Sequence, residues 1–202
     1  MVILGLTGSI GMGKTMAAGD FARLGVPVFD SDHEVHALLG PGGAAVAAVG
    51  EAFEGVARAA AVDRAALGRC VFGDAAALAR LEDIVHPLVR ARQRCFLRRA
   101  GARRSRLVVL DVPLLFETGG ERRCDYSAVV TAPAFIQRQR VLERPGMSEE
   151  RLAAIRAHQM PEAEKLRRAD FVIATGLGRR FSLRRIHEIV KMLSAERGRK
   201  WP

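Results

Sequence analysis

Gly8-Ser9-Ile10-Gly11-Met12-Gly13-Lys14-Thr15 fits the spacing G-x-x-x-x-G-K-[ST] and directly follows an apolar run at residues 2–6. Glycines at these positions let a backbone curl with its N–H groups pointing inward around a phosphate. A helix beginning near Lys14 adds its positive dipole end and the free amides of Thr15 and Met16. Lys14 is then placed to bridge β- and γ-phosphate oxygens, and the Thr15 hydroxyl to ligate Mg²⁺. Gly8, Gly11, Met12, Gly13, Lys14, Thr15 and Met16 form the candidate nucleotide-binding set.

Carboxylates recur at the ends of later apolar runs. The second run closes in Asp30-Ser31-Asp32 and the third in Asp111. In open α/β sheets ligands bind beyond the carboxyl ends of the strands, so an acid there can hold Mg²⁺ or accept a proton from an attacking hydroxyl. Asp30 equally suits an N-cap for the helix that follows. Asp32, His33 and His36 imitate a metal cluster but lack further ligands, and the histidines read as solvated or structural. Gln137, Arg140 and Arg144 recur at three- and four-residue spacing, which predicts one helix face. Such a face either lies in water or closes over a triphosphate and neutralises charge in the transition state.

These residues need a scaffold. Runs rich in β-branched residues at Val2 to Leu6, Val26 to Phe29, Leu107 to Leu110, Ala128 to Thr131 and Phe171 to Ala174 read as buried parallel strands. Ala-, Leu- and Arg-rich stretches with helical spacing separate them. Alternating strand and helix predicts an α/β fold with a doubly wound five-stranded parallel sheet. The second and third strands stand too far apart for one crossover, so residues 33–100 read as a helical insertion. A smaller helical excursion falls at 134–168, leaving 1–32, 101–133 and 169–202 as the core of a single domain spanning 1–202. The last helix packs Leu183, Ile186, Val190 and Leu193 onto the sheet.

Of 202 residues, 49% are apolar and 27% charged, the balance of an ordinary globular protein. The net charge of +10 comes from 32 Lys+Arg, 28 of them Arg, against 22 Asp+Glu. Residues 1–65 hold four basic and seven acidic side chains, so the remainder carries 28 against 15. That surplus suits polyanionic partners: nucleic acid or phosphorylated small molecules. Arg90 to Arg106, with eight arginines and no acid, favours the first; one Trp, one Tyr and nine Phe, few among the arginines, leave no stacking platform for it. Three widely spaced cysteines form no C-x-x-C pair, which predicts neither disulfide framework nor zinc and suits a reducing cytoplasm. No export signal or membrane-spanning run is apparent.

The absence of asparagine removes the N-K-x-D base-reading motif and with it the GTPases. A small-molecule kinase remains. Gly5 to Thr15, Leu24-Gly25, Asp30-Ser31-Asp32, His86-Pro87-Leu88 and Asp111-Val112-Pro113-Leu114-Leu115-Phe116-Glu117 together closely resemble the dephospho-CoA kinase family. Gln137, Arg140, Arg144, Gly146-Met147-Ser148, Gln159-Met160-Pro161 and Ala169 to Ile173 continue the family's order over nearly the whole chain.

The resemblance implies ATP-dependent phosphorylation of the ribose 3′-hydroxyl of dephospho-CoA, the last step of coenzyme A biosynthesis, with ATP and dephospho-CoA as partners and Mg²⁺ as cofactor. It implies a P-loop kinase topology, with 33–100 receiving the acceptor and 134–168 acting as a lid. Asp32 matches the family's catalytic base, and Lys14 and Arg140 complete the candidate catalytic set. Asp111 resembles the Walker B acid, joining Thr15 at the metal and Asp32, His86 and Glu117 at the substrate; Arg144 joins the nucleotide set. On residues alone, a lone histidine beside a helix end is more often structural, and it is the His86-Pro87 match to the family that favours a substrate contact. Neither nucleic acid nor membrane enters this reading, and a monomer is expected. Another P-loop nucleoside or nucleotide kinase is the alternative. One departure is visible: where the family commonly carries Asp-Asn after Val172-Ile173, this chain has Ala174-Thr175-Gly176. That loop normally helps hold adenine, so base choice would rest on backbone contacts.

Overall fold

A computed structural model describes residues 1–58 and 60–201. Its secondary structure begins with β1 (Val2–Thr7), buried throughout, and α1 (Lys14–Arg23). Next come β2 (Val28–Asp30), α2 (Ser31–Leu39), α3 (Val46–Ala52), the short strands β3 (Ala57–Arg58) and β4 (Ala61–Val62), α4 (Arg64–Val71) and α5 (Ala75–Ala102). The chain then forms β5 (Leu107–Asp111), β6 (Tyr126–Thr131), α6 (Ala134–Leu142), α7 (Glu149–Ala157), α8 (Glu162–Arg168), β7 (Phe171–Ala174) and α9 (Arg179–Ala195). It divides into two compact units, Met1–Phe29 with Ala100 onward, and Asp30–Arg99. The 134–168 segment belongs to the first.

The first unit is built on a five-stranded parallel sheet in the order β2-β5-β1-β6-β7. Counting only its own strands, the order is 2-3-1-4-5, and the five-stranded parallel sheet is the one expected from sequence. Leu6 pairs with Asp111 and Thr131 with Ala174, so β1, β5, β6 and β7 end at one edge. Val2, Leu4, Leu6, Val109, Ala128, Val130 and Ile173 pack with Phe21 of α1 and Ile186, Ile189 and Leu193 of α9. Asp20, fully buried on α1, pairs with Arg23 and with Arg179 of α9, the latter at 3.1 Å.

The second strand differs from expectation. Val26 does not start it, because α1 ends in a Schellman motif: Gly25 is left-handed (φ 79°), its N–H donates to Ala22, and Val26 N–H donates to the Phe21 carbonyl. Val26 is thereby held under the helix end, and the strand starts two residues later.

The Asp30–Arg99 unit has its own core, in which Leu38, Leu39, Val49, Phe53, Val56, Leu67 and Val85 are buried. Asp63 caps α4 through the amides of Ala65 and Ala66, and Asp74 caps α5 through those of Ala76 and Ala77. Beside its helices it carries the β3–β4 hairpin, which periodicity did not reveal because its strands are two residues each. A second correction concerns Pro87, which stands inside α5 and does not end it. A mid-helix proline costs about 3 kcal/mol. Leu81, Ile84 and Val85 before it and Leu88 and Val89 after it all pack on the same core, and that burial offsets the cost. The arginines from Arg90 to Arg106 are all exposed. No described helix is long and apolar enough to cross a membrane.

Candidate active site

The phosphate loop leaves β1 at the carboxyl edge of the sheet. Gly11 and Gly13 adopt left-handed conformations, φ 76° and 91°, which residues with a Cβ rarely adopt. Gly11 also faces a tight wall, since a Cβ there would come within 2.5 Å of Val141 Cγ2. Gly13 occupies the N-cap of α1 and no side chain caps that helix, whose first turn exposes Thr15. Lys14 folds back so that its ammonium lies 2.5 Å from Asp111 Oδ1, a carboxylate 2% exposed at the end of β5. The pairing of Leu6 with Asp111 in the sheet puts that carboxylate at the edge from which the loop departs.

Helix α6 flanks the loop. Gln137, buried, donates to the Ile10 carbonyl at 2.7 Å and receives the Arg156 guanidinium on its own carbonyl. Arg140 donates to Thr175 Oγ1 and to the Thr175 carbonyl, both at 3.0 Å, and reaches the Gly11 carbonyl at 3.5 Å. Arg144 does not share this face. The helix stops at Leu142, so Arg144 lies beyond its end and is exposed. Ser9 donates to Glu162 Oε2 at 2.9 Å, and Gln159 accepts from the Ile10 amide. A cavity of about 350 Å³ opens beside these groups, lined by Ser9, Met12, Gln137, Arg156, Gln159 and Glu162.

Glu117 is engaged from two sides. Its Oε1 accepts from the Met160 amide and pairs with the fully buried Lys165, both at 2.9 Å. Burial alone would raise its carboxyl, but the Lys165 ammonium and the Met160 N–H outweigh that and hold it below its ordinary value. Lys165 went unnoticed in the sequence. Its one signal is scarcity, because only four of the 32 cations are lysines.

In the Asp30–Arg99 unit, Asp30 caps α2 by accepting from His33 N at 3.0 Å, the N-cap role its position suited. Asp32 follows in the first turn and is exposed. His86 is exposed on α5. Thus the structure draws together Lys14, Asp111, Gln137, Arg140 and the glycines around one loop.

A G-x-x-x-x-G-K-T loop after the central strand of a 2-3-1-4-5 parallel sheet defines a P-loop small-molecule kinase. A family model described as dephospho-CoA kinase matches residues 2–177, and the chain belongs to that family. A Paramagnetospirillum magneticum protein named dephospho-CoA kinase is 66% identical over 165 residues, covering 82% of this chain and 78% of that protein. One of the same name from Mesorhizobium japonicum is 54% identical over 198 residues, covering 98% and 100%. A solved Thermus thermophilus structure superposes with a TM-score of 0.80 at 34% identity, covering 95% of this chain and 96% of that one. Dephospho-CoA kinase from Campylobacter jejuni shares the fold, with a TM-score of 0.65 at 21% identity and coverage of 96% and 98%.

Proposed function

We propose that this chain transfers the γ-phosphoryl group of ATP to the ribose 3′-hydroxyl of dephospho-CoA, giving coenzyme A and ADP. The observation that carries the reading is family membership across nearly the full chain, together with an uncapped helix N-terminus presented by a left-handed glycine loop. The amides of that loop, with Gly8, Gly11, Met12, Gly13, Thr15 and Met16, cradle the phosphates. Lys14 exchanges part of its interaction with Asp111 for the β- and γ-oxygens. The Thr15 hydroxyl and the Asp111 carboxylate are hard oxygen donors, a set that fits Mg²⁺. When bound, the ion neutralises charge developing on the phosphate oxygens.

Asp32 takes the proton of the attacking hydroxyl as that oxygen bonds to the γ-phosphorus and the bond to the ADP oxygen breaks. The 33–100 insertion holds the acceptor, with His86 bonding to or stacking on its nucleotide. The 134–168 segment closes over the triphosphate, and Arg140 and Arg144 add positive charge there. Glu117 serves the acceptor indirectly, by fixing the 112–117 turn against α8. The working form is a cytoplasmic monomer whose basic surface draws in two polyanionic substrates rather than nucleic acid or membrane.

An acceptor screen tests this. Purified chain with Mg·ATP should convert dephospho-CoA to coenzyme A and ADP, and EDTA should abolish turnover. Turnover of a nucleoside monophosphate or shikimate, with none of dephospho-CoA, would overturn it.

A further inference from the structure

We infer that Thr175 is a positioning residue for the phosphate loop, holding the Met12–Gly13 peptide and Arg140 in one network rather than reading the nucleotide base. The inference rests on the reading that this loop holds nucleotide phosphates. Thr175 is 2% exposed and lies just past β7. Each of its polar groups is committed within the fold. The amide donates to the Thr131 carbonyl at 2.8 Å, the hydroxyl donates to the Met12 carbonyl at 2.6 Å, and that same hydroxyl accepts from Arg140. Its carbonyl accepts the second arm of the same guanidinium. A hydroxyl offers one proton, and here it is spent on Met12.

The consequence follows from peptide geometry. The chain contains no cis peptide among the described residues, so the Met12 carbonyl and the Gly13 N–H point in opposite directions from one rigid plane. Anchoring that carbonyl to Thr175 turns the Gly13 N–H away from β7 and fixes it among the inward amides of the loop. Arg140, bound to both Thr175 and the Gly11 carbonyl, closes the network from α6. Gly13 packs against Thr175 closely, since a Cβ at Gly13 would lie 3.1 Å from its hydroxyl. A side chain so enclosed influences phosphate affinity without touching the nucleotide.

Calorimetric titration with Mg·ATP, Mg·GTP and inorganic triphosphate tests this, using Thr175→Val, Thr175→Ser and Arg140→Met. Valine keeps the shape and deletes the hydroxyl, leaving a buried carbonyl unpaired, so affinity for all three ligands should fall together by about tenfold. Serine should restore most of it, and Arg140→Met should weaken all three in the same proportion. Circular dichroism checks folding, and if Thr175→Val fails to fold, Arg140→Met and Thr175→Ser carry the comparison. Wild-type affinity in folded Thr175→Val, or in Arg140→Met where valine does not fold, overturns the inference. So does a loss confined to ATP with triphosphate unchanged, the mark of a base-reading residue. A wild-type chain that binds triphosphate as stated but leaves dephospho-CoA untouched refutes the proposed acceptor and spares the positioning role.

Discussion

Lys165, with no exposed side-chain surface, holds its ammonium 2.9 Å from Glu117 Oε1, tying α8 to the segment after β5. Removing one partner of a buried ion pair strands the other, at a cost of about 3–5 kcal/mol. Glu117→Gln should therefore destabilise the fold by that order. Lys165→Met should cost less, because Glu117 keeps the Met160 N–H and is 16% exposed. Urea denaturation at neutral pH measures both.

The same pair has a pH signature. The folded Glu117 carboxyl titrates below its ordinary value of 4.5, so its contribution is complete above that value and is lost as pH falls through the lowered one. Wild-type urea midpoints should drop more steeply than those of Glu117→Gln on acidification below about 4.5. Parallel acid limbs would contradict the assignment.

Lys14→Met should lower kcat/KM for ATP by about 10² to 10³, the scale seen when a charge-stabilising donor is removed from an active site. Unchanged steady-state kinetics would defeat the phosphate-loop reading itself.

Two neighbouring acids should behave oppositely. Asp32→Asn should reduce turnover by about 10² to 10⁴ while leaving ATP affinity and stability near wild type, since Asp32 is exposed. Asp30→Ala should cost about 1 kcal/mol of stability through loss of the α2 cap. An active Asp32→Asn enzyme removes Asp32 as the base.

Gly11→Ala and Gly25→Ala separate backbone strain from crowding. Both positions are left-handed, but a Cβ at Gly25 meets nothing within 4 Å whereas one at Gly11 strikes Val141 and approaches the Gln137 carbonyl. Gly25→Ala should cost about 1–2 kcal/mol, and Gly11→Ala about 1–3 kcal/mol more. Denaturation midpoints give both values.

Much of the fold was legible because its signals are local. The last strand, Phe171–Ala174, coincides with its apolar run, and the other edges move by one or two residues. The exceptions have two different causes, one a helix-end motif and one tertiary packing. Val26 is drawn out of β2 by the Schellman hydrogen bonds, and Pro87 is carried through α5 by apolar contacts on either side of it. Arg144 was misplaced for a simpler reason: residue spacing shows a possible face but not where a helix stops.

At the site, the loop motif alone specified the glycines, Lys14 and Thr15, since phosphate binding by backbone amides depends on contiguous residues with permissive φ. Strand-end position likewise singled out Asp111. The Lys14–Asp111 pairing, the capping role of Asp30, the burial of Lys165 against Glu117 and the bonding of Thr175 to both Met12 and Arg140 depend on groups remote in the chain or on a choice between local conformations. Only the packing of the folded units decides such contacts, because burial strips polar groups of water and makes each find a partner wherever the chain has brought one.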